Sequence, residues 1–341
     1  MKNRTIVYIG NRLQKKGLNP TSVDMLGDKF CTSFNVIRAS HLGNPIFRLI
    51  HMWITILFNA HKTSYLIIDT YSTNAFIYAW TSGILAKLLG LNYIPYLHGG
   101  DLPKRYIKDK NKCQKYFEDA SKIVSPSGYL KAETESIFNV HVQVIPNYLE
   151  LEDYTFTKRS SFSKVQLLWV RAFHKIYNPS LAPEIVFELK KKGYQVTLTM
   201  VGPDKDGSLS VVKQKATDLD VLDSIYFTGR LSKKEWISKS CDFSFFINTT
   251  NADNTPVSVM EAMALGFPVI TTNVGGIPYL FINGVEGIQV PANDANAMAD
   301  AIITLLKDPI KTKEISVSAR RKSEEWDWDN VNKNWTNLLN S

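Results

Sequence analysis

The stretch 251-NADNTPVSVMEAMALGFPVITTNVGGIPYL-280 sets a loop carboxylate (Asp253), a proline-containing turn (Thr255, Pro256), a helix, a strand and a Gly-Gly turn in immediate succession. Loop, helix and strand in this order form the repeating unit of a parallel α/β sheet. Asp253 and Glu261 stand eight residues apart, the first in the loop and the second on the helix that the loop opens. A helix N-terminus offers unpaired N–H groups and the positive end of its dipole, which suits a diphosphate. Glu261 is then placed to accept hydrogen bonds from ribose hydroxyls. On these residues alone, Asp253 reads equally as an N-cap and Glu261 as part of a solvated helix face.

Outward from this stretch, short β-branched runs alternate with helical ones. Strands are expected at 165–169, 196–201, 225–228, 243–247, 268–271 and 287–290. An earlier series is expected at 5–9, 35–38, 65–69, 93–97, 122–126 and 142–145. At 341 residues the chain exceeds the size at which one core keeps growing. The expected fold class is therefore α/β, with two Rossmann-like, doubly wound parallel-sheet domains facing a central cleft. The domains are expected at 1–148 and 149–315, with a C-terminal helix at 316–341 packing back toward the first. The helix at 294–306, capped by Asn293 or Asp294, belongs on the second sheet. Trp326, Trp328 and Trp335 read as docking the terminal helix rather than binding a ligand.

A composition of 44% hydrophobic and 21% charged residues excludes disordered and collagen-like chains. Cys31, Cys113 and Cys241 are far apart, with no CxxC or Cys/His cluster, so no disulfide framework or zinc site is suggested and a reducing cytoplasm fits. The opening MKNRTIVYIGN reads as a strand, its apolar run being too short for a signal peptide. The longest apolar run, IFRLIHMWITILF at 46–58, is too short to cross a bilayer and is interrupted by Arg48 and His51. It reads as a helix, either buried in the core or presenting a membrane-facing stripe. The net charge of +8 is uneven: residues 1–148 hold 18 Lys/Arg against 9 Asp/Glu, and residues 149–341 hold 22 against 23. The cluster Lys104, Arg105, Lys108, Lys110, Lys112 and Lys115 is either a solvated face or an attractor for an anionic lipid surface or a phosphorylated acceptor. The expected location is cytoplasmic, at the inner face of the cytoplasmic membrane. These basic residues are not interleaved with stacking aromatics, which argues against nucleic acid.

Three loops complete the inventory. LHGGDLP carries His98, Gly99, Gly100 and Asp101 at a strand end, where the glycines permit close backbone approach. IGNRLQKKGLNP holds Gly10 and Gly17 without forming GxGxxG, which weakens a dinucleotide-cofactor reading. LLWVRAFHKIYNP follows the first strand of the second series with Arg171, whose planar fork of donors suits phosphate oxygens. The DxD matches Asp204-Lys205-Asp206 and Asp218-Leu219-Asp220 read as turns or surface rather than as a metal bridge.

Taken together, these motifs resemble the retaining glycosyltransferases of family 4 (glycosyl transferases group 1), which have the GT-B fold. Asp253 to Glu261 is similar to the family's E-x7-E region, and EAMALGFPVITTNVGGIPY to its E-A-M-A-x-G-x-P-V run. Asn147 in VIPNY resembles its interdomain turn, Gly202 in VGPDKDG its glycine-rich turn, and Gly229 and Arg230 in FTGRLSKKEW its loop beside the nucleobase. The similarity covers most of residues 93–307.

The resemblance implies transfer of a sugar from a nucleotide-diphosphate donor to the hydroxyl of a glycan or lipid-linked glycan, in cell-surface polysaccharide or glycolipid assembly. It also implies retention by same-face attack, with no metal and no cofactor. His98, Arg171 and Asp253 take the catalytic roles. Lys175, Gly202, Gly229, Arg230, Thr255, Pro256, Val257 and Glu261 take the donor, and Gly17, Gly99, Gly100 and Asp101 line the acceptor and phosphate loop. Two departures stand out: Asp253 replaces the family's first glutamate, and Tyr177 falls near the expected donor lysine, leaving Lys175 earlier on the loop as its candidate. The rival readings are a nucleotide-sugar epimerase or hydrolase on the same fold and a non-catalytic protein that binds an anionic surface or nucleic acid.

Overall fold

The computed structural model describes residues 4–12, 20–160, 162 and 164–340. The chain divides into two compact units, the first comprising Met1–Pro146 with Asn337–Ser341 and the second Asn147–Thr336.

In the first unit, strands β1 (Thr5–Ile9), β2 (Asn35–Ala39), β3 (Thr63–Tyr71), β4 (Tyr93–His98), β5 (Ile123–Ser125) and β6 (Val142–Val144) form a sheet in the order β2-β1-β3-β4-β5-β6. Every pairing is parallel. Parallel sheets are covered on both faces, so their strands read as continuous apolar runs. Ile6, Val7, Tyr8 and Ile9 are all buried, as are Leu66, Ile67 and Ile68.

The helix Pro45–Asn59 opens at Asn44, whose side chain accepts from the N–H groups of Ile46 and Phe47. It buries only Met52 and Ile56. Met52 and Ile56 join the core of the first unit, while Ile46, Phe47, Ile50, Ile54, Leu57 and Phe58 are exposed, so the run is only partly a core helix. In the same unit, Arg4 and Lys122 donate to the carbonyls of Leu339 and Leu338, placing cations at a helix C-terminus.

In the second unit, β7 (Val165–Val170), β8 (Val196–Val201), β9 (Ile225–Gly229), β10 (Phe245–Asn248), β11 (Val269–Thr272) and β12 (Ile288–Val290) follow the order β12-β11-β10-β7-β8-β9, again parallel throughout. The strand order reverses between β7 and β10. In open α/β sheets that reversal, at the carboxyl ends of the strands, is where ligands bind.

Two anchors hold the ends of this unit. Arg159, 3% exposed, donates to the carbonyls of Thr157, Ser240, Phe243 and Leu265 and lies 3.7 Å over the Phe267 ring. Burial lowers its pKa to about 10. The terminal segment, expected as one helix, is two, Pro309–Glu324 and Trp328–Asn340. The break has a partner: Leu149 N–H donates to the Trp326 carbonyl (2.8 Å), and the Leu149 carbonyl accepts from Trp328 N–H (3.0 Å). Trp326 and Trp335 are buried, as expected of docking aromatics.

Candidate active site

Arg171 leaves the end of β7 and Asp253 lies beyond β10, the two strands flanking the reversal. They form an ion pair, Nη2 to Oδ2. The Arg171 guanidinium sits 4.3 Å over the Tyr177 ring, so the residue near the expected lysine acts as an aromatic platform. Burial lowers the Arg171 pKa, while Tyr177 and Glu261 oppose that shift.

Two glycine turns fix this pair. Gly202 adopts φ +155° and packs against the Arg171 backbone so closely that a Cβ would overlap the Arg171 carbonyl. Its N–H donates to the Gly229 carbonyl at 2.9 Å, tying the turns after β8 and β9 together. Gly276 N–H donates to the Asp253 carbonyl (2.9 Å), and a Cβ on Gly275 or Gly276 would overlap the backbone of Asp253 or Asn254.

The next helix is Val257–Ala264, capped by Pro256 rather than by Asp253. Asp253 Oδ1 instead accepts from Asn254 N–H (2.9 Å). Glu261 is 9% exposed, which excludes the solvated-face reading. It accepts from the Tyr154 hydroxyl at 2.9 Å and lies 3.5 Å from Lys233 Nζ, which also sits 4.7 Å over the Tyr154 ring. Burial raises the Glu261 pKa, against the pull of Lys233, Tyr154 and Arg171. Arg171 Nε, Thr255 Oγ1 and Ser258 Oγ are buried without a hydrogen-bond partner among the described residues. Buried polar atoms are normally satisfied, so three around one helix start suggest a ligand-facing surface.

The remaining donor-side expectations are more dispersed. Lys175 lends its backbone N–H to Asp206 (2.9 Å), and its side chain is exposed with no ion pair among the described residues. Arg230 is exposed. The DxD aspartates serve local structure: Asp204 accepts from Gly207 N–H, Asp206 from Lys175 and Ser208, and Asp218 from Gln214. Among the described residues no group of three His, Cys, Asp or Glu is arranged to hold a metal ion.

In the first unit, His98 ends β4 and is buried. Its Nε2 lies 3.0 Å from Oδ1 of Asp69 in β3, which also accepts from the Tyr8 hydroxyl (2.8 Å). Tyr71 stacks on the His98 ring at 4.9 Å and Tyr96 meets it edge-on at 4.2 Å. Gly10, at the end of β1, is pressed against the other Asp69 oxygen. Gly99 takes φ +87° and its carbonyl accepts from Leu102 N–H, while Asp101 pairs with Lys104 at 2.8 Å. Gly17 lies outside the described residues.

The basic cluster is not one surface. Arg105 turns inward to the Ser72 carbonyl and Asp109, whereas Lys108, Lys110, Lys112 and Lys115 are exposed. Sequence reasoning missed Asp69, Tyr8, Tyr154 and Lys233. Asp69 carried a local signal as the sole acidic residue between Lys29 and Gly100, and Lys233 stands within the quoted FTGRLSKKEW stretch.

Residues 155–322 match the family described as glycosyl transferases group 1. The chain is 25% identical over 290 residues to an uncharacterized glycosyltransferase of Methanocaldococcus jannaschii, covering 81% of this chain and 78% of that one. It is 25% identical over 252 residues to the amylovoran biosynthesis glycosyltransferase AmsK of Erwinia amylovora, covering 70% of this chain and 61% of that relative's length. Among solved structures, Anabaena Alr3699/HepE in complex with UDP shares the fold with a TM-score of 0.78 at 15% identity, over 99% of both chains. The apo lipopolysaccharide outer core galactosyltransferase WaaB does so with a TM-score of 0.74 at 12% identity, over 98% of this chain and 99% of that one. The chain thus has the α/β, GT-B architecture expected from its motifs.

Proposed function

We propose that the second unit binds a nucleotide-diphosphate sugar and that the enzyme transfers the sugar, with retention, to the hydroxyl of a glycan or lipid-linked glycan in surface polysaccharide or glycolipid assembly. The observation that carries this reading is the Arg171–Asp253 pair at the β7/β10 reversal, beside the start of the helix that bears buried Glu261. Arg171 and the N–H groups of Thr255 to Val257 supply donors to the diphosphate, which gains negative charge as it departs. Glu261 accepts from ribose hydroxyls, and Asp253 orients both Arg171 and the sugar. His98 contacts the transferred sugar. The UDP bound in HepE and the amylovoran role in AmsK's name support the donor class and the biosynthetic setting.

The test is release of nucleoside diphosphate from UDP-, GDP- and ADP-sugars, with and without oligosaccharide and polyprenyl-linked acceptors. Release that depends on an acceptor, with the anomeric configuration kept in the product, is the expected result. Equal release without acceptor would favour the hydrolase reading instead.

A further inference from the structure

The helix Pro45–Asn59 is amphipathic with its apolar face turned outward. Ile46 is 68% exposed, Phe47 62% and Phe58 75%, and Ile50, Ile54 and Leu57 are exposed between them. Their spacing of three to four residues makes one stripe along the helix. The neighbouring helix Phe76–Leu88 packs against it and carries a second outward stripe at Ile77, Ile84 and Leu88, the last 78% exposed. Scattered exposed apolar side chains are ordinary, but two packed helices that each expose an apolar stripe are not.

The charge around this face is mainly positive. From Lys29 to Gly100 the only acidic residue is Asp69, which is buried, while Lys29, Arg38, Arg48, Lys62 and Lys87 lie in the same span, Arg38 and Lys87 being paired with Asp28 and Asp119 from outside it. On the helix Lys110–Glu118, which packs on Phe76–Leu88, Lys112 lies 5.0 Å over the Trp80 ring, with Lys110 and Lys115 exposed on the same helix. Exposed apolar residues flanked by cations, with no exposed anion along the two stripes, match an anionic bilayer surface in both hydrophobicity and charge. A second copy of the chain would instead set these cations against their own like.

We propose that these two helices dock the protein on an anionic lipid bilayer, with Phe47, Ile50, Ile54 and Phe58 entering the headgroup and acyl boundary and Lys110, Lys112 and Lys115 meeting lipid phosphates. The docking surface is thus centred on the apolar face of Pro45–Asn59 and not on the basic stretch after the HGGD loop.

The test is flotation of the full chain with vesicles of phosphatidylcholine alone or with phosphatidylglycerol added, at low and high salt, with oligomeric state followed by light scattering. The proposal expects binding to the mixed vesicles that falls about tenfold in Phe47→Glu/Phe58→Glu and falls with salt in the wild type. Unchanged melting temperature in that variant, whose substituted side chains are exposed, shows that folding is not the cause. Lys110→Gln/Lys112→Gln/Lys115→Gln is expected to weaken binding to the mixed vesicles and leave the weak binding to phosphatidylcholine unchanged. Absence of wild-type binding, undiminished binding by Phe47→Glu/Phe58→Glu, or a wild-type dimer that the same pair dissolves would each overturn the proposal. None of these readouts uses a sugar donor, so they stand apart from the proposed transferase reaction.

Discussion

Nε2 of His98 and the hydroxyl of Tyr8 converge on a single oxygen, Oδ1 of the buried Asp69. A carboxylate in that position accepts a hydrogen from Nε2 and so fixes the orientation of the ring. Tyr71 and Tyr96 close on the ring.

Asp69→Asn is therefore expected to lower kcat on the order of 10²-fold through loss of ring orientation. It should also change the ring-nitrogen chemical shifts of His98 away from the Nε2–H tautomer. Unaltered shifts would reduce Asp69 to a packing residue.

Arg171→Lys keeps the charge but not the planar fork. Removing a preorganised donor to a departing anion typically costs about 3 kcal/mol, so nucleoside diphosphate release should fall on the order of 10²-fold. Tyr177→Lys, which restores a cation at the stacking position, is expected to displace the Arg171 guanidinium from its platform and not to raise the rate.

Glu261 provides a pH signature. A carboxyl whose pKa is raised on folding contributes stability that is present at low pH and lost as pH rises through the raised value. Glu261→Gln should therefore melt higher than the wild type at pH 7, with the difference shrinking as pH falls toward the ordinary glutamate range. The same variant should bind donor more weakly.

Arg159→Met removes the donors that four backbone carbonyls share with one buried guanidinium. The expected loss is about 3 kcal/mol, read as a lower midpoint in urea unfolding.

Much of this was legible in the sequence, and the exceptions are informative. The twelve strands follow from β-branched runs because parallel sheets bury both faces, and a continuous apolar run is then the only compatible pattern. Arg171 and Asp253 were legible as separate donor-site candidates, each after a strand, but their pairing was not. Tyr154 was not legible, because it reaches Glu261 from 107 positions away and carries no motif, and Lys233 lies within FTGRLSKKEW but nothing local ties it to Glu261, 28 positions on. The apolar face of Pro45–Asn59 was ambiguous for a different reason: periodicity identifies an apolar stripe but not whether the stripe faces the sheet or the solvent.

The most direct test of the proposed donor site is calorimetric titration of UDP, GDP and ADP into the wild type, Glu261→Ala and Asp69→Asn. The account predicts that one nucleotide binds the wild type, binds at least tenfold more weakly to Glu261→Ala, and binds Asp69→Asn as it does the wild type. Equal affinity for Glu261→Ala, or no affinity of the wild type for any of the three, would contradict it.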